Sequence, residues 1–262
     1  LSGQKAHGAL MFDLTLEIAL LLVAAGFAAG FIDSIAGGGG LITVPALLLA
    51  GVPPAQALAT NKVQGMFGAA TAAFSYAARG LVDLRSQWRA ALVAAAGGVL
   101  GAALVNQLPA QALQLVLPVL LIGIAAFFAF RPGLNDLDRA RRIGPGLFTL
   151  TIVPLIGFYD GLLGPGAGSF YMIAFVSLSG YGVLKATAHT KLLNLFSNLG
   201  GLLTFALIGE PLWLLGLLMG LAQITGAGLG ARLAARIGAR LIKPLLVVTS
   251  MALALRLIWQ ML

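Results

Sequence analysis

The sequence predicts an all-α polytopic membrane protein of about 8–10 membrane helices, some short and broken, arranged as two repeats of inverted topology. Three observations carry this expectation. Apolar runs almost free of charge recur along the chain, one residue pattern appears twice at a near-constant offset, and the basic residues gather in short loops.

Hydrophobic residues make up 60% of the 262, charged residues only 9%, and mean hydropathy is +0.99. A soluble domain carries about a quarter charged residues, so this composition needs a lipid environment. Residues 14–32, 90–106, 112–130, 147–159, 192–208, 212–230 and 244–255 each hold at most one ionisable side chain. Several approach the ~20 residues that cross about 30 Å of hydrocarbon. The alternation of a membrane β-barrel is absent and alanine and leucine dominate, so the spans are read as helices. Residues 1–13 are read as an N-terminal tail, with Met11 as a candidate start. The first apolar run lacks a small-residue cleavage site, so it is read as a span and not as a removable leader.

A net charge of +8 and a pI near 10.5 raise the question of nucleic acid. No basic stripe is interleaved with aromatics, and no nucleic-acid partner is expected. The absence of cysteine excludes disulfides, thiolate ligands and thiol catalysis. Trp88, Trp213 and Trp259 lie near segment ends and read as interface anchors.

The repeat sets the domain organisation. "ALATNKVQGMFGAATAAFSYAARG" (57–80) lies over "ATAHTKLLNLFSNLGGLLTFALIG" (186–209), with Lys62 on Lys191 (191 − 62 = 129), Phe67 on Phe196 and Gly80 on Gly209. Upstream, "GFID" (30–33) lies over "GFYD" (157–160), with Asp33 on Asp160 (160 − 33 = 127). The expected division is a first repeat over 14–130, a basic linker over 131–146 and a second repeat over 147–262.

Charge gives the relative orientation of the halves. Loop 79–89 carries Arg79, Arg85 and Arg89 against Asp83, while its counterpart near Gly209 has only Glu210. Loop 107–111 is uncharged, while its counterpart at 232–243 carries Arg232, Arg236, Arg240 and Lys243. The linker has Arg131, Arg139, Arg141 and Arg142 against Asp136 and Asp138. Basic loops favour the cytoplasm, so equivalent loops face opposite sides and five segments per half would invert the second.

One segment per half is too short to cross unaided. Residues 41–52 would extend only about 18 Å as a helix, and 168–180 is similar, so a turn beside each is expected at membrane depth. Such breaks are tolerated where they line a wet cavity or are buried in protein.

Within the apolar regions the ionisable groups are Glu17, Asp33, Lys62, Asp160, Lys185, His189 and Lys191. Glu17 and Lys185 are placed at the interface, Lys185 in a loop-like "GYGVLK". The others fall in the repeated motifs, and a charge at depth is a candidate functional site. The expected site takes an anion at the repeat interface. Gly37, Gly38, Gly39 and Gly40, and Gly164, Gly166, Gly168 and Ser169, precede the two short helices, whose N-termini offer N–H groups and a positive dipole end. Lys62 and Lys191 would add charge, and Asn61, Gln64, Thr190, Asn194 and Asn198 hydrogen bonds. Asp33, Asp160 and His189 are the candidates for proton coupling. Plainer readings stand beside these: glycines for close packing, lysines as structural counter-ions of Asp33 and Asp160, and His189 as a hydrogen-bonded interior residue. "AGGGGL" has no preceding strand and no Walker spacing, so it is not read as a nucleotide loop.

The motifs "AGFIDSIAGGGGLITVPALL", "GVPPAQALATNK", "GFYDGLLGPGAGSFY" and "KATAHTKLLN" resemble the sulfite exporter TauE/SafE family, also called the toluene-sulfonate uptake permease family, from about residue 14 to 258. The resemblance implies a secondary transporter of the bacterial cytoplasmic membrane for sulfite, sulfoacetate or related organosulfonates, often exported and here expected to be proton-coupled. The second half departs from the first with "GPGAG" for "GGGG" and "AHTK" for "ATNK". Two alternatives remain open: an anion channel of the same fold, and a carrier of small carboxylates. No enzyme is expected, for want of a His/Glu metal cluster, an activated serine or a large soluble domain. Neither metal nor cofactor is expected. The expected partners are the anion, the lipid bilayer and, as an open alternative, further copies of the chain.

Overall fold

A computed structural model describes residues 15–105, 135–209 and 211–259. The expected segment 112–130, loop 107–111 and tail 1–13 lie outside the described residues, as do part of the linker and Glu210.

The described residues are helical, with no strand among them. Helix α1 (Leu16–Ala36) starts at Thr15, whose hydroxyl accepts the Ile18 N–H at 3.3 Å. It ends where Gly37 turns to φ 76°, a conformation that suits glycine and stops a helix. Helix α2 (Gly40–Leu49) has ten residues, roughly 15 Å of rise. Gly51 at φ 89° then reverses the chain, and α3 (Pro54–Ala77) begins with proline in its first turn. A 3₁₀ turn at Arg85–Gln87 leads into α4 (Trp88–Ala103).

The second half follows the same order. Helix α5 (Pro145–Leu162) carries a π-helical turn at Phe148–Ile152, just ahead of Pro154, which has no N–H to donate. Helix α6 (Ala167–Ser179) is the second short segment and ends at Gly180, φ 73°. Then come α7 (Val183–Ile208), α8 (Trp213–Ile237) and α9 (Ala239–Trp259, with Pro244 inside). Helices α1, α5, α7 and α8 are long and apolar enough to cross a membrane. Both short segments expected from the sequence are present.

Two expectations change in detail. Helix α7 starts at Val183, so Lys185 sits in its first turn and not in a loop, bonded to Asp138 of the linker. Helix α1 extends four residues beyond 32 (36 − 32 = 4), which puts Asp33 on its last turn. In both cases the helix continues until a glycine breaks it, and the apolar run alone did not mark that point.

Helices α3 and α7 cross at the centre, flanked by α4 and α8, while α1 packs on α8 and α5 on α4. Glycine makes these approaches close. A Cβ on Gly30 would lie 2.5 Å from the Gln223 carbonyl oxygen, and one on Gly157 2.5 Å from that of Ala94. A Cβ on Gly226 would meet the Phe27 carbonyl, and one on Gly97 that of Pro154. Each pair of contacts is the other with the halves exchanged. Small residues at these crossings let backbones pack without the hydrophobic driving force that lipid removes.

Leucines dominate the outside: Leu16, Leu150, Leu207 and Leu214 are each more than 70% exposed, a surface suited to acyl chains. Trp88 and Trp213 open their helices and Trp259 is the last residue of α9, all three exposed. Those are the positions expected of interface anchors.

Candidate functional site

The two glycine-rich breaks meet at the centre of the molecule. Gly37 and Gly168 are packed so tightly that a Cβ on Gly37 would lie 2.5 Å from the Ser169 nitrogen. The Ser169 hydroxyl donates to the Ala36 carbonyl at 3.0 Å and ties the breaks together. Here the glycines serve close approach, with positive φ at Gly37, Gly38, Gly164 and Gly166.

A cavity of about 30 Å³ lies between them, lined by Asp33, Gly38–Gly40, Asn61, Gly65, Asp160, Gly164, Gly166–Gly168, Asn194, Asn198 and Gln223. It has room for little more than a water molecule. The first turns of α2 and α6 border it, and a helix's first N–H groups have no intrahelical partner.

Each buried lysine pairs with the aspartate of the other half. Lys62 on α3 donates to Asp160 Oδ1 on α5 at 2.6 Å and also to the Asp160 carbonyl. Lys191 on α7 reaches Asp33 Oδ2 on α1 at 3.4 Å and also donates to the Asp33 carbonyl. These carbonyls lie in the last turns of α1 and α5, where the dipole end is negative and a cation is favoured. Both lysine side chains are 1% exposed, so neither snorkels.

A polar network surrounds the pairs. Asn61 Oδ1 accepts from the Thr43 hydroxyl at 2.8 Å and from Gln64 Nε2 at 3.3 Å, and Gln223 Nε2 donates to Gln64 Oε1 at 3.1 Å. Gly40 and Gly164 leave room for this: a Cβ on Gly40 would approach Asn61 Nδ2 to 3.2 Å, and one on Gly164 the Lys62 ammonium to 3.1 Å.

Of the residues singled out from the sequence, the cavity brings together Asp33, Asp160, Asn61, Asn194, Asn198 and the glycines 38–40, 164, 166 and 168. Gly37 and Ser169 form the crossing beside it. Lys62, Lys191 and Gln64 stand behind the lining, bonded to residues that form it. The Thr190 hydroxyl donates to the Ala186 carbonyl within its own helix. His189 lines a second cavity of about 220 Å³, with Arg141, Phe175, Tyr181 and Leu193. Its Nδ1 lies 2.9 Å from the Lys185 carbonyl oxygen and its ring is edge-on to Tyr181.

Gln223 and Gly65 were missed. Gln223 could have been found as an amide inside the apolar "GLAQITGAG" of α8, where a polar side chain seeks a partner. Gly65 carried no such signal. It matters because a Cβ there would press on Asn198 Oδ1 at 3.2 Å. Among the described residues no group of three or more His, Cys, Asp or Glu could hold a metal ion.

Apolar spanning helices around two broken segments, with paired charges at the break, define a multi-pass membrane transporter. The family model described as "Sulfite exporter TauE/SafE" matches residues 22–257, and the chain belongs to that family. It is 56% identical over 248 residues to "Probable membrane transporter protein ORF9" of a Sinorhizobium species, covering 95% of each chain. It is 41% identical to a "Probable membrane transporter protein" of Haemophilus influenzae, over 95% of this chain and 97% of that one. Against "Probable membrane transporter protein YfcA" of Escherichia coli K12 it is 45% identical, over 88% and 86%. No solved structure matches the chain.

Proposed function

We propose that this chain is a secondary transporter of small anions, sulfite or organosulfonates, working by alternating access in the bacterial cytoplasmic membrane with proton coupling. The observation that carries the reading is the pair of cross-half ion pairs at the mouths of two opposed short helices. The N-termini of α2 and α6 border the cavity and suit an anion. Asn61, Asn194 and Asn198 line it; Asn61 and Asn194 add uncharged donors, while the Asn198 amide is engaged by Asp160 and the Asn194 carbonyl. Glycines allow the backbone itself to approach the ligand.

The inverted repeat supports alternating access. Helix contacts interchange when the halves are exchanged, and the basic loops of equivalent position belong on opposite sides of the bilayer. A central cavity of about 30 Å³, too small for an anion such as sulfite to pass through, favours a gated carrier over an open pore. Rocking one half against the other would open it first to one side and then to the other.

Purified chain in proteoliposomes is expected to carry labelled sulfite or sulfoacetate with saturable kinetics. The same anion is expected to raise its unfolding temperature, with taurine and small carboxylates as comparisons. Flux that neither saturates nor responds to pH would identify a channel. Full transport by the Lys62→Ala, Lys191→Ala double variant would overturn the site.

A further inference from the structure

The two half-sites hold their carboxylates differently. Asp160 Oδ2 accepts from Asn194 Nδ2 at 3.2 Å, from Asn198 Nδ2 at 3.4 Å and from the Ser197 hydroxyl, while Oδ1 takes Lys62 at 2.6 Å. Its side chain is 2% exposed. Asp33 Oδ1 accepts one backbone N–H, from Gly39 at 3.0 Å, and Oδ2 is reached by Lys191 at 3.4 Å. Its side chain is 15% exposed and borders the cavity.

The cause lies in the sequence of α3. At the offset of 129, Asn194, Ser197 and Asn198 fall on Gly65, Gly68 and Ala69 (194 − 65 = 197 − 68 = 198 − 69 = 129). None of the three neutral side chains on the second carboxylate has a counterpart around the first. Gln223 fills the space over Gly68, where a Cβ would lie 2.3 Å from its Oε1, but its amide donates to Gln64 and not to Asp33.

We propose that Asp33 is the carboxylate that takes up and releases the coupling proton, that Asp160 stays ionised as a fixed counter-ion of Lys62, and that the anion replaces Asp33 as the counter-charge of Lys191. This rests on the reading of the chain as a proton-coupled anion carrier. Lys62, Lys191, Asp33 and Asp160 sum to zero charge, so an anion entering the site as it stands gains no net attraction. A proton on Asp33 leaves Lys191 unbalanced and raises the site to +1, which one negative charge then neutralises. Proton and anion each favour the other's binding, and the coupling is reciprocal. The two therefore cross together, without net charge for a singly charged anion, and export by this route draws on the anion's own outward gradient.

The charged and titratable surroundings of Asp33 fit this role. Lys191 faces it from α7, and Tyr76 of α3 lies near, its hydroxyl donating to the Ser34 carbonyl at 2.8 Å. Helix α2 has no ionisable residue, and Tyr171 of α6 donates to Val153. On α8 the first ionisable residue is Arg232, nine positions past Gln223 (232 − 223 = 9), about 13 Å of helix. Arg240 and Lys243 of α9 lie near the start of that helix, and among the described residues neither pairs with Asp33.

Infrared titration of the purified full chain in detergent tests the assignment without requiring transport. With isethionate, a sulfonate whose single charge does not titrate above pH ~5, where exposed carboxylates are already ionised, the wild type is expected to show the carbonyl band of a protonated carboxyl that fades as pH rises. Without the anion the band is expected to be weaker at every pH, because Lys191 then keeps Asp33 as its counter-charge. Asp33→Asn should abolish the band, while Asp160→Asn, or the charge-neutral Lys62→Gln, Asp160→Asn pair if the single variant unfolds, should keep it. No titrating band in the wild type, a band surviving in Asp33→Asn, or a band lost with Asp160 would overturn the proposal. Failure of wild-type proteoliposomes to move isethionate or sulfite counts against the anion reading instead, and leaves the band to decide Asp33.

Discussion

A buried ion pair constrains most strongly when half of it is removed. Lys62 and Asp160 are both nearly inaccessible and hold each other at 2.6 Å. Lys62→Met strands a carboxylate that has only neutral donors left, and should cost about 3–5 kcal/mol, whereas replacing both partners by apolar residues restores much of the loss. Thermal unfolding of Lys62→Met, Asp160→Leu and the double variant checks this, with the double variant expected above either single one. Transport is expected to be absent in all three. Gly164 gives a second test at this scale. At φ 82° with the Lys62 ammonium beside it, Gly164→Ala should lose about 1–2 kcal/mol from the left-handed backbone alone, read as a lowered unfolding temperature.

Among the elements, the linker and the glycine crossings do different work. Asp136 joins two helix starts: Oδ1 accepts the Leu184 N–H of α7 and Oδ2 the Ala239 N–H of α9, each at 2.9 Å. Asp136→Ala removes both caps and should cost about 1–3 kcal/mol, measurable as earlier unfolding. Asp138 beside it accepts the Gly182 N–H at 2.9 Å and pairs with Lys185. Partial burial acts to raise the Asp138 pKa, but the Lys185 ammonium and the Gly182 N–H outweigh it and hold it below the usual carboxylate value. A depressed folded value means that the contact contributes stability above the unfolded pKa and loses it as pH falls through the folded one. Protection of the Gly182 amide from hydrogen exchange should therefore hold from neutral pH down past ~4 and fail only in stronger acid. At the α4–α5 crossing, a Cβ on Gly101 would sit 1.9 Å from the Phe158 carbonyl oxygen. Gly101→Leu has no rotamer that avoids this, and monodisperse protein on size exclusion should be lost.

For the whole molecule, the decisive property is how the halves lie in the bilayer. The chain has no cysteine, so single cysteines report position cleanly. Arg85→Cys and Gly209→Cys occupy equivalent loops and should be labelled from opposite faces, the first from the cytoplasm. Labelling of both from one face would remove the inversion and with it the case for rocking halves.

Much of this was legible in the chain. Hydropathy marked spans close to α1, α4, α5 and α8, because lipid requires a continuous apolar surface and backbone bonds satisfied within each helix. The glycines and prolines marked both short helices, and the offset paired Asp33 with Asp160 and Lys62 with Lys191. Helix ends were less clear, since α7 begins nine residues before the apolar run (192 − 183 = 9), on a polar turn that tertiary contacts cover.

By itself, then, the sequence determined the membrane class and the identity of the buried charges, both of which follow from what hydrocarbon excludes. Tertiary structure decided the partners. Each lysine pairs with the opposite half's aspartate, His189 belongs to another cavity, and Gln223 reaches the site from α8. The physical reason is that a charge at depth must be matched in space, and helices far apart in the chain supply the match only once they are packed.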